Sequence, residues 1–211
     1  MDGQNQYKVY YFKLHGRGDP IRALLTHAKI PFEDISFGFD AWPEHKAIMP
    51  NGQCPCLELK DGTKMGQSIA IARYLGSVHG YYPKDPMEAY QCDQLIDRYQ
   101  DVSGTIYKPL FIKDQAEVDE KVKEMVEIIL PKFLDEINDK CKEGWLVGDK
   151  ISLADFFVGG LYINYLSNES ITFGKEGWAT LLQKYPNFKA YGERYAAEQA
   201  QYLSTRGKYA V

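Results

Sequence analysis

The sequence predicts two domains in series: an α/β domain over residues 1–83, a mixed four-stranded sheet in the order βαβ-α-ββα, and an all-α helical bundle over 84–211. Three observations carry this reading. Residues 7–28, YKVYYFKLHGRGDPIRALLTHA, read as strand, glycine loop and helix. Residues 81–86, YYPKDP, hold two prolines and no periodicity, as a linker does. Beyond them the apolar residues recur at helical spacing, and no strand-like run follows.

The first strand spans residues 8–14, whose aromatic and β-branched side chains suit a strand buried on both faces. His15-Gly16-Arg17-Gly18 breaks the pattern, and Asp19-Pro20 opens a helix. Asp19 is the expected N-cap and Pro20 fits the first helical position, where no donor is lost. Ile21, Leu24, Leu25 and Ala28 then make one apolar helical face. The loop between these elements sits at the carboxyl end of a strand, where open α/β sheets place their ligands. Tyr11, Arg17 and Arg22 lie on or beside it.

Residues 31–37, PFEDISF, form a second strand beside the first, and residues 41–49 form at most a short amphipathic helix that puts Trp42 and Lys46 on one face. Residues 54–59 are a strand introduced by Pro55, and Asp61-Gly62 turns it back into Lys64-Met65. Ser68 is the expected N-cap of the next helix, whose free N–H groups and dipole make an anion site. Helices are expected over 87–107, 115–141, 152–166, 178–184 and 186–200, the third opened by a capping box of Ser152 and Asp155. Asp93, Asp97 and Asp101 share one face of the first of these, an arrangement that needs solvent or a cation partner.

Composition excludes several function classes. A net charge of −4 argues against nucleic acid, which requires a basic surface. The charge is uneven, with ten basic against eight acidic residues in 1–84 and fifteen against twenty-one in 85–211, so the first half suits a small anionic ligand. The polar start MDGQNQ carries no signal or transit peptide, and a cytoplasmic location is expected. The longest apolar run, 156–163, is far short of a membrane span. Four irregularly spaced cysteines, Cys54, Cys56, Cys92 and Cys141, read as reduced thiols.

The run Tyr11-Phe12-Lys13-Leu14-His15-Gly16-Arg17-Gly18-Asp19-Pro20-Ile21-Arg22 resembles the start of a glutathione transferase, most like the sigma class, and the resemblance extends over nearly the whole chain. It implies a thioredoxin-like first domain that binds glutathione and a second domain that completes a hydrophobic substrate pocket. The implied catalytic residues are Tyr11 and Arg17. Glutathione would be held by Tyr11, Trp42, Lys46, Gln53, Cys54, a cis Pro55, Gln67, Ser68 and Asp101, the last reaching across a homodimer. Leu14, Ser103 and Tyr107 would line the electrophile pocket. No cofactor beyond the co-substrate glutathione is implied. Gln100 stands where a metal-binding relative would carry an acid, so no metal is expected. Asn51 replaces an aromatic residue that related classes insert into the partner subunit, and Lys108 replaces an aromatic wall found in prostaglandin D synthases.

The expected chemistry is conjugation of the glutathione thiolate to small hydrophobic electrophiles. A thiol of pKa near 8.5 is only about 3% ionised at pH 7, so an activating hydrogen bond is needed. Tyr11, not its neighbour Tyr10, is the expected donor, because adjacent strand residues face opposite sides and the family spacing selects Tyr11. Two rivals share the scaffold: a prostaglandin D synthase or isomerase, and a non-catalytic crystallin-like protein or ligand carrier. A disulfide oxidoreductase would need a C-x-x-C pair after the first strand, where this chain has Tyr, Lys and His.

Overall fold

The computed structural model describes residues 6–209 except 143 and 172. They form two compact units, the first within Met1–Tyr82 and Glu198–Tyr209, the second within Pro83–Ala197.

The first unit contains β1 (Tyr7–Phe12), α1 (Asp19–His27), β2 (Phe32–Phe37), α2 (Trp42–Lys46), β3 (Cys56–Leu59), β4 (Lys64–Met65) and α3 (Ser68–His79). The sheet order is β2-β1-β3-β4, with β1 parallel to β2 and antiparallel to β3, and β3 antiparallel to β4. Interior β1 buries Tyr7, Val9, Tyr10 and Tyr11, so both of its faces are covered. It stops at Phe12, two residues short of the expected end, because the Leu14 N–H turns back onto the Phe12 carbonyl at 2.7 Å. Ile21, Ala23, Leu24 and Leu25 bring α1 into the core.

Two expected caps are corrected. Gly16–Gly18 forms a 3-10 turn that runs straight into α1, so Gly18 occupies the N-cap and Asp19 is the first helical residue. The Asp19 carboxylate is turned inward, where it accepts a hydrogen bond from the Tyr202 hydroxyl. At α3 the N-cap is Gln67, and Ser68 is the first helical residue.

The second unit is helical: α4 (Pro86–Ile106), α5 (Gln115–Glu124), α6 (Leu130–Ile137), α7 (Leu153–Leu161), α8 (Lys175–Lys184) and most of α9 (Pro186–Glu198). The Asp85 carboxylate caps α4 by accepting the Met87 and Glu88 N–H groups at 2.9 and 3.0 Å. The single helix expected over 115–141 is interrupted by a π turn at Met125–Ile129. Pro131 follows directly, has no N–H to donate one turn back, and the wider turn absorbs that gap. A second π turn, Tyr162–Leu166, continues α7. α7 and α9 approach closely, since a Cβ at Gly159 would lie 2.4 Å from the Tyr195 ring and one at Gly192 would lie 2.2 Å from Tyr162. The last helix, α10 (Ala200–Thr205), belongs to the first unit, although the sequence reading assigned everything after residue 84 to the second. No helix among the described residues is long and apolar enough to cross a membrane.

The capping box at α7 is present and extends further than a cap. Buried Asp155 accepts from the Ser152 N–H at 2.7 Å, the Ser152 hydroxyl at 2.8 Å, the Leu146 N–H at 3.1 Å and the Tyr191 hydroxyl at 3.0 Å. Burial pushes its carboxyl above the ordinary value, while the Ser152, Leu146 and Tyr191 donors pull it down. Asp155→Ala leaves these buried donors without an acceptor, at roughly 1–3 kcal/mol each before relaxation. A loss of about 3 kcal/mol or more of unfolding free energy is expected, measured as a shift in the urea midpoint.

Candidate active site

Tyr11 ends the buried part of β1, and the loop that follows lies against its ring. A Cβ at Gly16 would sit 2.8 Å from the Tyr11 hydroxyl oxygen, and one at Gly18 would sit 2.6 Å from the ring Cδ1. Glycine is therefore required at both positions for the backbone to come this close. Gly16 also has φ +42°, in the left-handed region that glycine tolerates. The product of this approach is a hydrogen bond from the Arg17 backbone N–H to the Tyr11 hydroxyl oxygen at 3.0 Å. A phenolic oxygen that accepts an N–H bond is polarised into a stronger O–H donor. Tyr10 faces the other side of the sheet, packs with Phe37, Met49 and Cys56, and donates its hydroxyl to Glu58 at 2.9 Å. Burial, with Glu58 second, pushes the Tyr10 phenol up to about 12.

The guanidinium that holds the loop is that of Arg22, while the Arg17 side chain is exposed. Buried Arg22 donates to the Leu14 carbonyl at 2.8 Å, the Ser36 hydroxyl at 2.9 Å and the Asp34 carboxylate at 3.1 Å, and lies 5.5 Å from the Tyr11 ring centroid. The sequence placed Arg22 beside the loop; its anchoring role required the contacts of β2.

The other candidates of the first unit fall on the elements around this loop. Trp42 packs against Phe12 at 5.2 Å and stacks on Phe37 at 6.1 Å between centroids. Lys46, one turn on, is exposed, and its Cε would lie 3.2 Å from a Cβ at Gly52. The Cys54-Pro55 peptide is cis, and Pro55 is buried. Cys54 is half-buried, and burial pushes its thiol up to about 11. That value keeps it protonated and unreactive at neutral pH, which disfavours the redox rival. Gln67 donates from Nε2 to Gln53 Oε1 at 3.1 Å, which joins the two candidate amides. Gln67 has φ 70° and ψ 105°, an uncommon conformation outside glycine that costs about 1–3 kcal/mol and is typical of functional sites. It precedes α3, whose Ser68, Ile69 and Ala70 N–H groups come before the first intrahelical bond, Ile71 N–H to the Gln67 carbonyl at 2.9 Å. Leu14 is half-buried on the loop.

The remaining candidates lie on α4 of the second unit or at its end. Asp101 is exposed and accepts from Arg98 at 2.8 Å, while Arg98 also reaches Glu136. Arg98 is thus a cation partner for Asp101, one of the three carboxylates in that row. Ser103 is buried, with its hydroxyl turned onto the Gln100 carbonyl at 3.2 Å. Tyr107 is half-buried against Tyr165 at 5.8 Å, and Lys108 is exposed. Asn51 adopts φ 55°, which asparagine tolerates.

Residues 19–78 match the family model of the glutathione S-transferase N-terminal domain, and residues 100–206 match that of the C-terminal domain. The chain belongs to the glutathione S-transferase family. A relative described as a glutathione S-transferase from Anopheles gambiae is 33% identical over 87% of this chain and 87% of its own. The structure of a Fasciola hepatica sigma-class glutathione S-transferase covers 100% of each chain at 29% identity and a TM-score of 0.82. The transferase Na-GST-3 of Necator americanus, described as monomeric, covers 98% of this chain and 100% of its own at 29% identity and a TM-score of 0.81. The thioredoxin-like first domain and helical second domain are thus those of a glutathione transferase with sigma-like features.

The loop contact makes a direct test possible, because the Gly18 backbone is ordinary and the Tyr11 side chain is what an added Cβ meets first. Gly18→Ala should cost about 1–3 kcal/mol in thermal unfolding through overpacking. Gly104→Ala, in α4 with nothing within 4 Å of the added Cβ, should instead stabilise by about 0.5–1 kcal/mol.

Proposed function

We propose that this protein activates bound glutathione as its thiolate and transfers it to small hydrophobic electrophiles, with Tyr11 as the hydrogen-bond donor to sulfur. The observation that carries this reading is the Arg17 N–H bond to the Tyr11 hydroxyl oxygen at 3.0 Å. A charge-assisted bond to the thiolate contributes about 1.5–3 kcal/mol, or one to two pKa units, enough to ionise a large fraction of the bound thiol at neutral pH. Arg17 adds positive potential at the mouth of the loop. Trp42 and Lys46 receive the glycyl carboxylate, Cys54 pairs its backbone with the cysteinyl unit beside Pro55, and Gln53, Gln67 and Ser68 receive the γ-glutamyl end. The anion-ready start of α3 supports the last assignment. Leu14, Ser103 and Tyr107 are the residues assigned to the electrophile on this reading, and exposed Lys108 favours conjugation over prostaglandin isomerisation.

Tyr11→Phe is expected to lower turnover of a halonitrobenzene by about 10- to 100-fold at neutral pH and to regain part of it near pH 9, where free thiolate is plentiful. Tyr10→Phe, which removes only the hydroxyl bonded to Glu58, should stay near wild type. Steady-state rates across pH check both, and the reverse pattern would move the catalytic hydroxyl to Tyr10.

The protein acts as a homodimer on this reading, with Asp101 of each subunit reaching the γ-glutamyl amine of the other. Asp101 pairs with Arg98 at an exposed surface, where such pairs contribute about 0–1 kcal/mol to stability. Asp101→Asn should therefore weaken glutathione binding, measured by calorimetry, more than it lowers the unfolding midpoint. Sedimentation should give a dimer. A monomer with undiminished glutathione affinity would remove the cross-subunit role.

A further inference from the structure

The loop that donates to Tyr11 is held at both ends by the last residues of the described chain. At its far end, Asp19 is wholly buried. Its carboxylate accepts from the Tyr202 hydroxyl and lies 3.5 Å from the Arg206 guanidinium. At its near end, buried His15 packs its ring against Tyr209 at 5.3 Å between centroids, and its Nδ1 lies 3.6 Å from the Asp19 carboxylate. The Asp19 N–H closes the loop onto the His15 carbonyl at 2.9 Å. Burial and the neighbouring Asp19 charge keep the Tyr202 phenol far above its ordinary value, so it stays protonated and donates. A carboxylate is costly to bury, and α1 is already fixed by Ile21, Leu24 and Leu25. Anchoring α1 does not call for Asp19. Fixing the position of residues 15–19 over the Tyr11 ring does, because a small displacement there changes the Arg17 N–H bond to the hydroxyl oxygen.

We propose that residues 202–209 are a positioning element of the active site, with Tyr202 and Arg206 acting through Asp19 to set the Arg17 N–H against Tyr11. The tail acts through the Asp19 carboxylate and the Arg17 N–H. It tunes how strongly the Tyr11 hydroxyl donates, so its effect is on thiol ionisation and turnover and not on glutathione affinity. This inference rests on Tyr11 being the activating residue.

The test is a double-mutant cycle between Tyr11→Phe and Tyr202→Phe, with Arg206→Gln as a second probe of the same carboxylate. Rates with a halonitrobenzene and the ultraviolet thiolate signal of bound glutathione are read across pH. Tyr202→Phe should lower kcat about 3- to 10-fold near pH 6.5, with KM for glutathione within about 2-fold, and recover near pH 9 as the thiol ionises unaided. Arg206→Gln should shift the profile in the same direction. In the Tyr11→Phe background neither substitution should lower the rate further, because the effect passes through that hydroxyl. A wild-type pH profile in the folded variants overturns the proposal. So does an equal loss with and without the Tyr11 hydroxyl, which would mark a general loosening of the fold. If Tyr202→Phe does not fold, Arg206→Gln decides by the same criteria. A Tyr11→Phe enzyme with wild-type rates would instead remove the reading on which the proposal stands, and that outcome is visible before the tail variants are compared.

Discussion

The near contact between the Gly16–Gly18 turn and the Tyr11 ring is the constraint around which the first unit is arranged. A backbone amide reaches a phenolic oxygen only if the intervening residues carry no side chain on that side. Gly16 and Gly18 meet that condition, and Gly16 also takes up the positive φ that turns the chain. Strand β1 holds Tyr11 from below by burial on both sheet faces. Arg22 ties the loop to β2 through Asp34 and Ser36, and closes it with a bond to the Leu14 carbonyl. The sheet, the helix and the loop thus converge on one hydrogen bond of 3.0 Å.

The two tyrosines at the end of β1 show how strand parity gives neighbouring hydroxyls different partners. Tyr10 and Tyr11 are equally buried, at 7% exposure each, so burial does not distinguish them. Their partners do. Tyr10 gives its hydroxyl to a carboxylate, which holds its proton more tightly, whereas Tyr11 receives an N–H, which makes its proton easier to share. The second environment is the one that suits the donor role proposed for Tyr11. Burial raises the Cys54 thiol to about 11, which keeps it protonated at neutral pH.

The second unit relies on a different kind of constraint. Its central helix, α7, is buried along its whole length, and its first turn is fixed by the Asp155 carboxylate. Serine and aspartate at the helix start satisfy backbone donors, and the same carboxylate reaches Leu146 and Tyr191 from elsewhere in the chain. Reciprocal glycine and tyrosine contacts between α7 and α9 let two helices approach without a gap. The unit carries its candidate site residues on α4 or at its end, apart from this centre.

Local rules in the sequence determined much of this protein. The strand, glycine loop and helix at residues 7–28, the proline-marked linker, the hairpin at Asp61-Gly62 and the capping box at Ser152 each follow from turn chemistry and apolar spacing over a few residues. The choice between Tyr10 and Tyr11 came from a family pattern, because parity alone leaves it open. Other features needed the folded chain. Asp19 and Ser68 each have the local signature of an N-cap, but Gly18 and Gln67 hold those positions. Pairing with Tyr202, 183 residues away, draws Asp19 inward, and no local rule registers that partner. The return of α10 to the first unit was likewise decided by packing. Burial, hydrogen bonds between distant residues and the space a side chain would occupy are properties of the assembled fold, and they set which of several suitable residues takes each position.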